Sequence, residues 1–152
     1  MIILSFLILL TINYCFIYLF GKFNYQVLGC GLTGYIPKKG QKVNLDKMFF
    51  LAIANEERGT DSCGIAIGNE YCQYGVKTTN GLDLSKARDF IAENKEEIKQ
   101  VKLLNNPVIF HTRRSTRGVH TKQNCHPMRY NWAIKEGIYE HLTLAHNGSV
   151  TN

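Results

Sequence analysis

Apolar and polar positions fall into two regimes along the chain. Residues 1–20 are almost wholly apolar, broken only by Ser5, Thr11 and Asn13. A helix of that length, rising about 1.5 Å per residue, would just cross a bilayer core of about 30 Å. Beyond it the apolar positions recur at shorter periods and alternate between strand and helix. Residues 32–36 read as a strand, ended by the turn Pro37-Lys38-Lys39-Gly40. Residues 45–57 read as a helix, with Met48, Phe49, Ala52 and Ile53 on one face, Asn44 as N-cap and Gly59 just past its end. Residues 65–67 and 71–76 are predicted strands around a Gly68-Asn69 turn. A second helix is expected over 84–102, where Leu84, Ala87, Phe90, Ile91, Ile98 and Val101 share a face and Glu93, Glu96 and Glu97 fill the opposite one. Residues 108–112 and 142–145 are short β-rich runs. The expected organisation is a two-layer α/β domain.

Composition narrows the class. The chain has 152 residues, 45% hydrophobic and 20% charged, enough for one domain with a core and unlike a disordered tail. Five cysteines (Cys15, Cys30, Cys63, Cys72, Cys125) form an odd set without a C-x-x-C pair, so neither a disulfide framework nor a zinc site is signalled. A reducing, cytoplasmic location is the default, with membrane anchoring through the leader kept open. The net charge of +6 is concentrated between Glu97 and Glu136, where there is no acidic residue. That asymmetry favours an anionic partner. A nucleic-acid groove would also need interleaved exposed aromatics, and Phe110, Tyr130 and Trp132 are too few and too strand-like, so nucleic acid is not expected.

The leader has several readings. No Lys or Arg precedes the apolar run, and Gly21-Lys22-Phe23-Asn24-Tyr25-Gln26 separates it from Cys30, which fits a secretory signal poorly. Val27-Leu28-Gly29-Cys30 is similar to a lipoprotein cleavage box, but the polar spacer is wrong for one. A membrane anchor, a propeptide and a start placed too far upstream all stay open.

The chemistry begins at Cys30, flanked by Gly31 and Gly34. As the first residue of a mature chain, its α-amine, with a reference pKa of about 7.7–8.0, could take the thiol proton and return it to a leaving amine. Nucleophile and base would then be one residue. Gly29 in peptide linkage abolishes this, because an amide nitrogen is not a base. Arg113 offers two parallel donors that match a carboxylate. By themselves Cys63 and Cys72 read as core cysteines, and Asn147-Gly148 as a turn.

Four ordered segments change those readings: Cys30-Gly31-Leu32-Thr33-Gly34, Arg58-Gly59-Thr60-Asp61-Ser62, His111-Thr112-Arg113 and His146-Asn147-Gly148. Together they resemble the glutaminase domain of class II glutamine amidotransferases over residues 30–152. The resemblance implies an N-terminal nucleophile fold, an αββα sandwich of which the chain holds the first part. It implies hydrolysis of glutamine to glutamate and ammonia through a thioester on Cys30. Arg113 would hold the substrate carboxylate and Thr116 would add a hydroxyl contact. The Asn147 side-chain N–H and the Gly148 backbone N–H would stabilise the oxyanion. Arg58 would support the nucleophile loop. His126, in Asn124-Cys125-His126-Pro127, matches an N-x-H-P turn of the family, structural first and a pocket residue second.

The chain also departs from the family. Arg114 and Arg117 stand where aminosugar-forming members tend to carry Trp and His, which leaves the acceptor open. The family's ammonium-binding aspartate would lie past Asn152, and no acceptor domain follows. The expected organisation is a leader, residues 1–29, and an amidotransferase domain incomplete at its C-terminus, residues 30–152, with the ammonia acceptor on another domain or subunit. No cofactor is called for, and no second histidine at ligand spacing to His126 suggests a metal. Another N-terminal cysteine amide hydrolase, and an inactive membrane-anchored binding module, are the alternative readings.

Overall fold

The computed structural model describes residues 29–115, 121–135 and 138–148, with backbone alone at 131–135 and 138–141. The apolar leader, Thr116 and Arg117 lie outside the described residues.

β1 (Gly31–Tyr35) leads through a turn to α1 (Leu45–Ala54). Asn44 has extended backbone, and its Oδ1 accepts from Lys47 N at 3.0 Å, the N-cap that the sequence predicts. The helix ends at Ala54 rather than at 57, because the chain tightens into a 3-10 turn, Asn55–Arg58. β2 (Ser62–Ile67) and β3 (Tyr71–Val76) follow as a hairpin. α2 (Ala87–Gln100) begins three residues later than the periodicity predicts. Asp83 Oδ1 accepts from Ser85 N at 2.9 Å, a local turn that competes with helix. Glu56 Oε2, from the 3-10 turn, accepts from Arg88 N at 2.8 Å. A carboxylate at that end both satisfies an orphan donor and suits the helix dipole. β4 (Val108–Arg113) completes a four-stranded antiparallel sheet ordered β1-β4-β2-β3.

Alternation along β2 and β4 gives this sheet two faces. Cys63, Ile65, Ile67, Val108 and Phe110 point to the helices and join Met48, Phe49, Ala52, Phe90 and Ile98 in the core. Phe90 and Phe110 meet edge to face, centroids 5.9 Å apart, a favoured aromatic geometry. Truncating Phe110 to Ala would cost about 3–5 kcal/mol.

The opposite face is covered as well, and here the two-layer expectation is corrected: every residue of β2 is buried. The cover is a second, two-stranded antiparallel sheet, β5 (Met128–Lys135) with β6 (Ile138–Leu144), preceded by a 3-10 turn, Lys122–Asn124. Tyr74 of β3 donates its hydroxyl to Pro127 O at 2.6 Å, and Arg129 Nη2 donates to Gly68 O at 2.7 Å. Helices, sheet and hairpin thus form three layers of a mixed α/β fold built on antiparallel pairing. β5 holds Tyr130 and Trp132, whose strand-like character the sequence shows though no strand is bounded there, and β6 starts earlier than the predicted run at 142. No helix among the described residues is long and apolar enough to cross a membrane.

Candidate active site

Cys30 immediately precedes β1, and its main chain is held on three sides. Gly31 N donates to Thr112 Oγ1 at 3.2 Å, and that hydroxyl donates to Asn55 O at 2.9 Å. β1 and β4 pair Gly31 with Thr112, so the register itself delivers the threonine to the neighbour of Cys30. Arg58 Nε donates to Cys30 O at 2.9 Å. Arg58 closes the 3-10 turn that follows α1, so helix, turn and strand β4 converge on one backbone position.

The third hold comes from Asn147. Its Oδ1 accepts from Cys30 N at 3.2 Å and its Nδ2 donates to Cys30 O at 2.8 Å. The backbone fixes which end of the amide faces which atom, since N–H can only donate and C=O can only accept. Nδ2 carries a second hydrogen that these bonds do not use. Gly148 follows with φ 152°, a conformation open to glycine, and a Cβ there would lie 3.0 Å from His146 Cε1.

The thiol points to a different segment. Cys30 Sγ lies 3.7 Å from Arg114 O, to which it donates. The 113–115 stretch is itself braced: Asp61 N donates to Arg113 O at 3.0 Å, and Ser115 N donates to Asp61 Oδ2 at 2.7 Å. Gly59 packs so tightly on this stretch that a Cβ there would collide with the backbone of Arg113 and Arg114. The Arg58–Ser62 segment therefore acts twice, through Arg58 on the cysteine and through Asp61 on the 113–115 stretch that faces its sulfur.

Arg113 ends β4 opposite Ser62, on the sheet face turned to the hairpin. Its charge acts on His111 and His126 there. Those rings stack at 4.8 Å, and His126 Nδ1 accepts from His146 N at 3.0 Å. Burial, then the neighbouring His126 and Arg113, push His111 down to about 4, with the backbone of His146 working the other way. His126 is lowered too, by burial first and then by Arg113 and His146. Each shift favours the neutral ring. Burial pushes the thiol of Cys63 far up, so it is an inert core cysteine. Among the described residues no group of three or more His, Cys, Asp or Glu could hold a metal ion.

Of the candidate residues, Cys30, Arg58 and Asn147 meet at one place, with Gly148 next in the chain after Asn147, and Arg113 and His126 stand together between the sheets. Thr116 lies outside the described residues. Sequence reasoning missed Asn55, which anchors Thr112, and the acceptor role of Arg114 O. A cleft of about 230 Å³ lined by Ala66, Gly68, Asn69, Pro107, Ile109 and Thr143 sits at the far end of β2 and β4 from Cys30.

No protein-family model matches the chain, and no solved structure matches it. Curated proteins do. The chain is 31% identical over 127 residues to glutamine–fructose-6-phosphate aminotransferase (isomerizing) of Oceanobacillus iheyensis and 34% identical over 124 residues to that of Methanococcus maripaludis. It is 29% identical over 129 residues to a probable glutamine–fructose-6-phosphate aminotransferase (isomerizing) of Schizosaccharomyces pombe. Each alignment covers 81% of this chain and 17% of the relative. The chain is thus homologous to glutamine–fructose-6-phosphate aminotransferases, and it spans about a sixth of the length of those it matches.

Proposed function

We propose that residues 30–148 belong to a glutamine amidotransferase domain of the class II type, with Cys30 as nucleophile in an N-terminal nucleophile sandwich. The observation that carries this reading is the paired hold of Asn147 on Cys30 N and Cys30 O. Residues 117 positions apart bring the H-N-G segment onto the cysteine, and the similarity to glutamine-dependent aminotransferases supplies the substrate class.

In the active form Cys30 is the first residue, so its nitrogen is an amine. The amine takes the thiol proton, and the thiolate attacks the side-chain amide carbon of glutamine. The developing oxyanion receives the free hydrogen of Asn147 Nδ2 and the Gly148 N–H, a contribution of about 2.7–4 kcal/mol per donor. The tetrahedral centre collapses as the protonated amine gives its proton to the leaving nitrogen. Ammonia departs and a γ-glutamyl thioester stays on Sγ. Water then attacks the thioester, and glutamate leaves with the thiol restored. Arg113 clamps the substrate carboxylate. The ammonia goes to an acceptor site that this chain does not identify.

The test combines two mass measurements on protein from its native cell. A diazo-ketone analogue of glutamine should alkylate Cys30 in a species whose N-terminus is Cys30. Alkylation of Cys63 or Cys72 instead, a chain retaining its leader in the membrane fraction, or a lipid on Cys30 would each overturn the proposal.

A further inference from the structure

Two histidine rings and one backbone N–H join the layers behind the nucleophile. His111 on β4 is 1% exposed, and its ring lies against that of His126 with the planes 27° apart. His126 Nδ1 accepts from His146 N at 3.0 Å. An imidazole nitrogen accepts only when it carries no proton, so this bond requires neutral His126 with its hydrogen on Nε2. The residue after His146 is Asn147, whose side chain grips both main-chain atoms of Cys30.

We propose that His126 is a positioning residue for Cys30: its neutral ring, backed by His111, latches the loop after β6 at His146 and so seats Asn147 on the nucleophile. The inference rests on Cys30 being the nucleophile, but the latch itself is a structural claim that can be read without catalysis. Protonation would place an Nδ1–H against the His146 N–H, donor facing donor, and the latch would open. The titratable and charged groups that act on the ring are His111, stacked on it, and Arg113, both from β4, and His146 across the bond. Burial, Arg113 and His146 all favour the neutral ring, so the latch is closed at pH 7 and opens only in acid.

Two substitutions separate the latch from mere packing. His126→Asn offers an acceptor oxygen near the Nδ1 position and cannot be protonated. His126→Phe keeps a ring to stack on His111 and offers no acceptor. In the full chain, hydrogen exchange at the His146 amide should be slow at pH 7 and at least tenfold faster once the His126 ring nitrogens report protonation by NMR. The Phe variant should exchange at least tenfold faster at every pH, whereas the Asn variant should stay protected in acid. In glutamine turnover, the Phe variant should lose at least tenfold in kcat with little change in KM. The Asn variant should regain most of that loss and lack the acid limb that the latch imposes. Unchanged His146 protection in the Phe variant, or the same acid dependence of exchange in wild type and the Asn variant, would overturn the proposal. Normal exchange behaviour with no turnover in any form would sink the assignment of Cys30 and leave the latch standing.

Discussion

Asn147 and Cys30 hold each other through both ends of one side-chain amide, at 3.2 Å to the cysteine N and 2.8 Å to its O. The arrangement requires a donor and an acceptor on the same side chain. Asn147→Asp keeps the acceptor, but it turns a second oxygen toward Cys30 O. It should therefore be about as damaging as Asn147→Ala, each lowering kcat for glutamine hydrolysis roughly a hundredfold or more. Steady-state kinetics of both variants check this. An Asp variant with near-normal kcat would exclude the donor role.

Arg113→Lys should raise KM for glutamine about tenfold or more while changing kcat much less. A point charge cannot reproduce two parallel donors, and a hydrogen bond to a charged group contributes about 1.5–3 kcal/mol. The ratio of the two effects is the measurement, and a collapse of kcat at constant KM would remove Arg113 from carboxylate binding.

His111 makes folding stability depend on pH. Its folded-state pKa is lowered to about 4 from an ordinary value of 6.5. The unfolded chain therefore binds more protons in that range, and stability is fully present above pH 6.5 and is lost as pH falls toward 4. The slope approaches about 1.4 kcal/mol per pH unit for one group. Urea titrations between pH 4 and 8 should show this fall, and His111→Phe should flatten it.

Gly59→Ala should disturb the site without touching it. The added methyl would strike the backbone at Arg113 and Arg114, the segment whose carbonyl faces Cys30 Sγ. A loss of about 1–3 kcal/mol in stability is expected for such overpacking, together with an altered rate of Cys30 alkylation. Unchanged alkylation kinetics would show that the brace does not govern the thiol.

The local signals in the sequence served well where the physics was local. Asn44 caps α1 as its position suggests, and Met48, Phe49 and Ala52 face the core at helical spacing. The predicted start of α2 fails because Asp83 and Ser85 close a turn of their own, which apolar periodicity does not register. β5 was not assigned as a strand although its run, Met128–Lys135, alternates Met128, Tyr130, Trp132 and Ile134 with Arg129, Asn131 and Lys135, the period of a half-buried strand. The four motifs marked residues that the fold gathers around Cys30, yet not how they meet. Thr112 bonds to Asn55, and His146 bonds to His126 through ring chemistry and long chain separation. Such pairings are fixed by strand register and layer packing, which no single segment encodes.

β4 lies between β1 and β2, shielded from both sheet edges, and it carries Thr112 and His111 on opposite faces. One strand therefore supports both the seat of Cys30 and the histidine stack behind the H-N-G loop. Central strands open to solvent only in near-global unfolding, whereas exposed loops fluctuate on their own at small free-energy cost. The Cys30 end is thus hydrogen-bonded to a central strand, and the Asn147 end lies in an exposed segment after β6. If Cys30 acts on glutamine, the opening that admits it is expected on the asparagine side, where local opening costs less than at the strand that seats the cysteine.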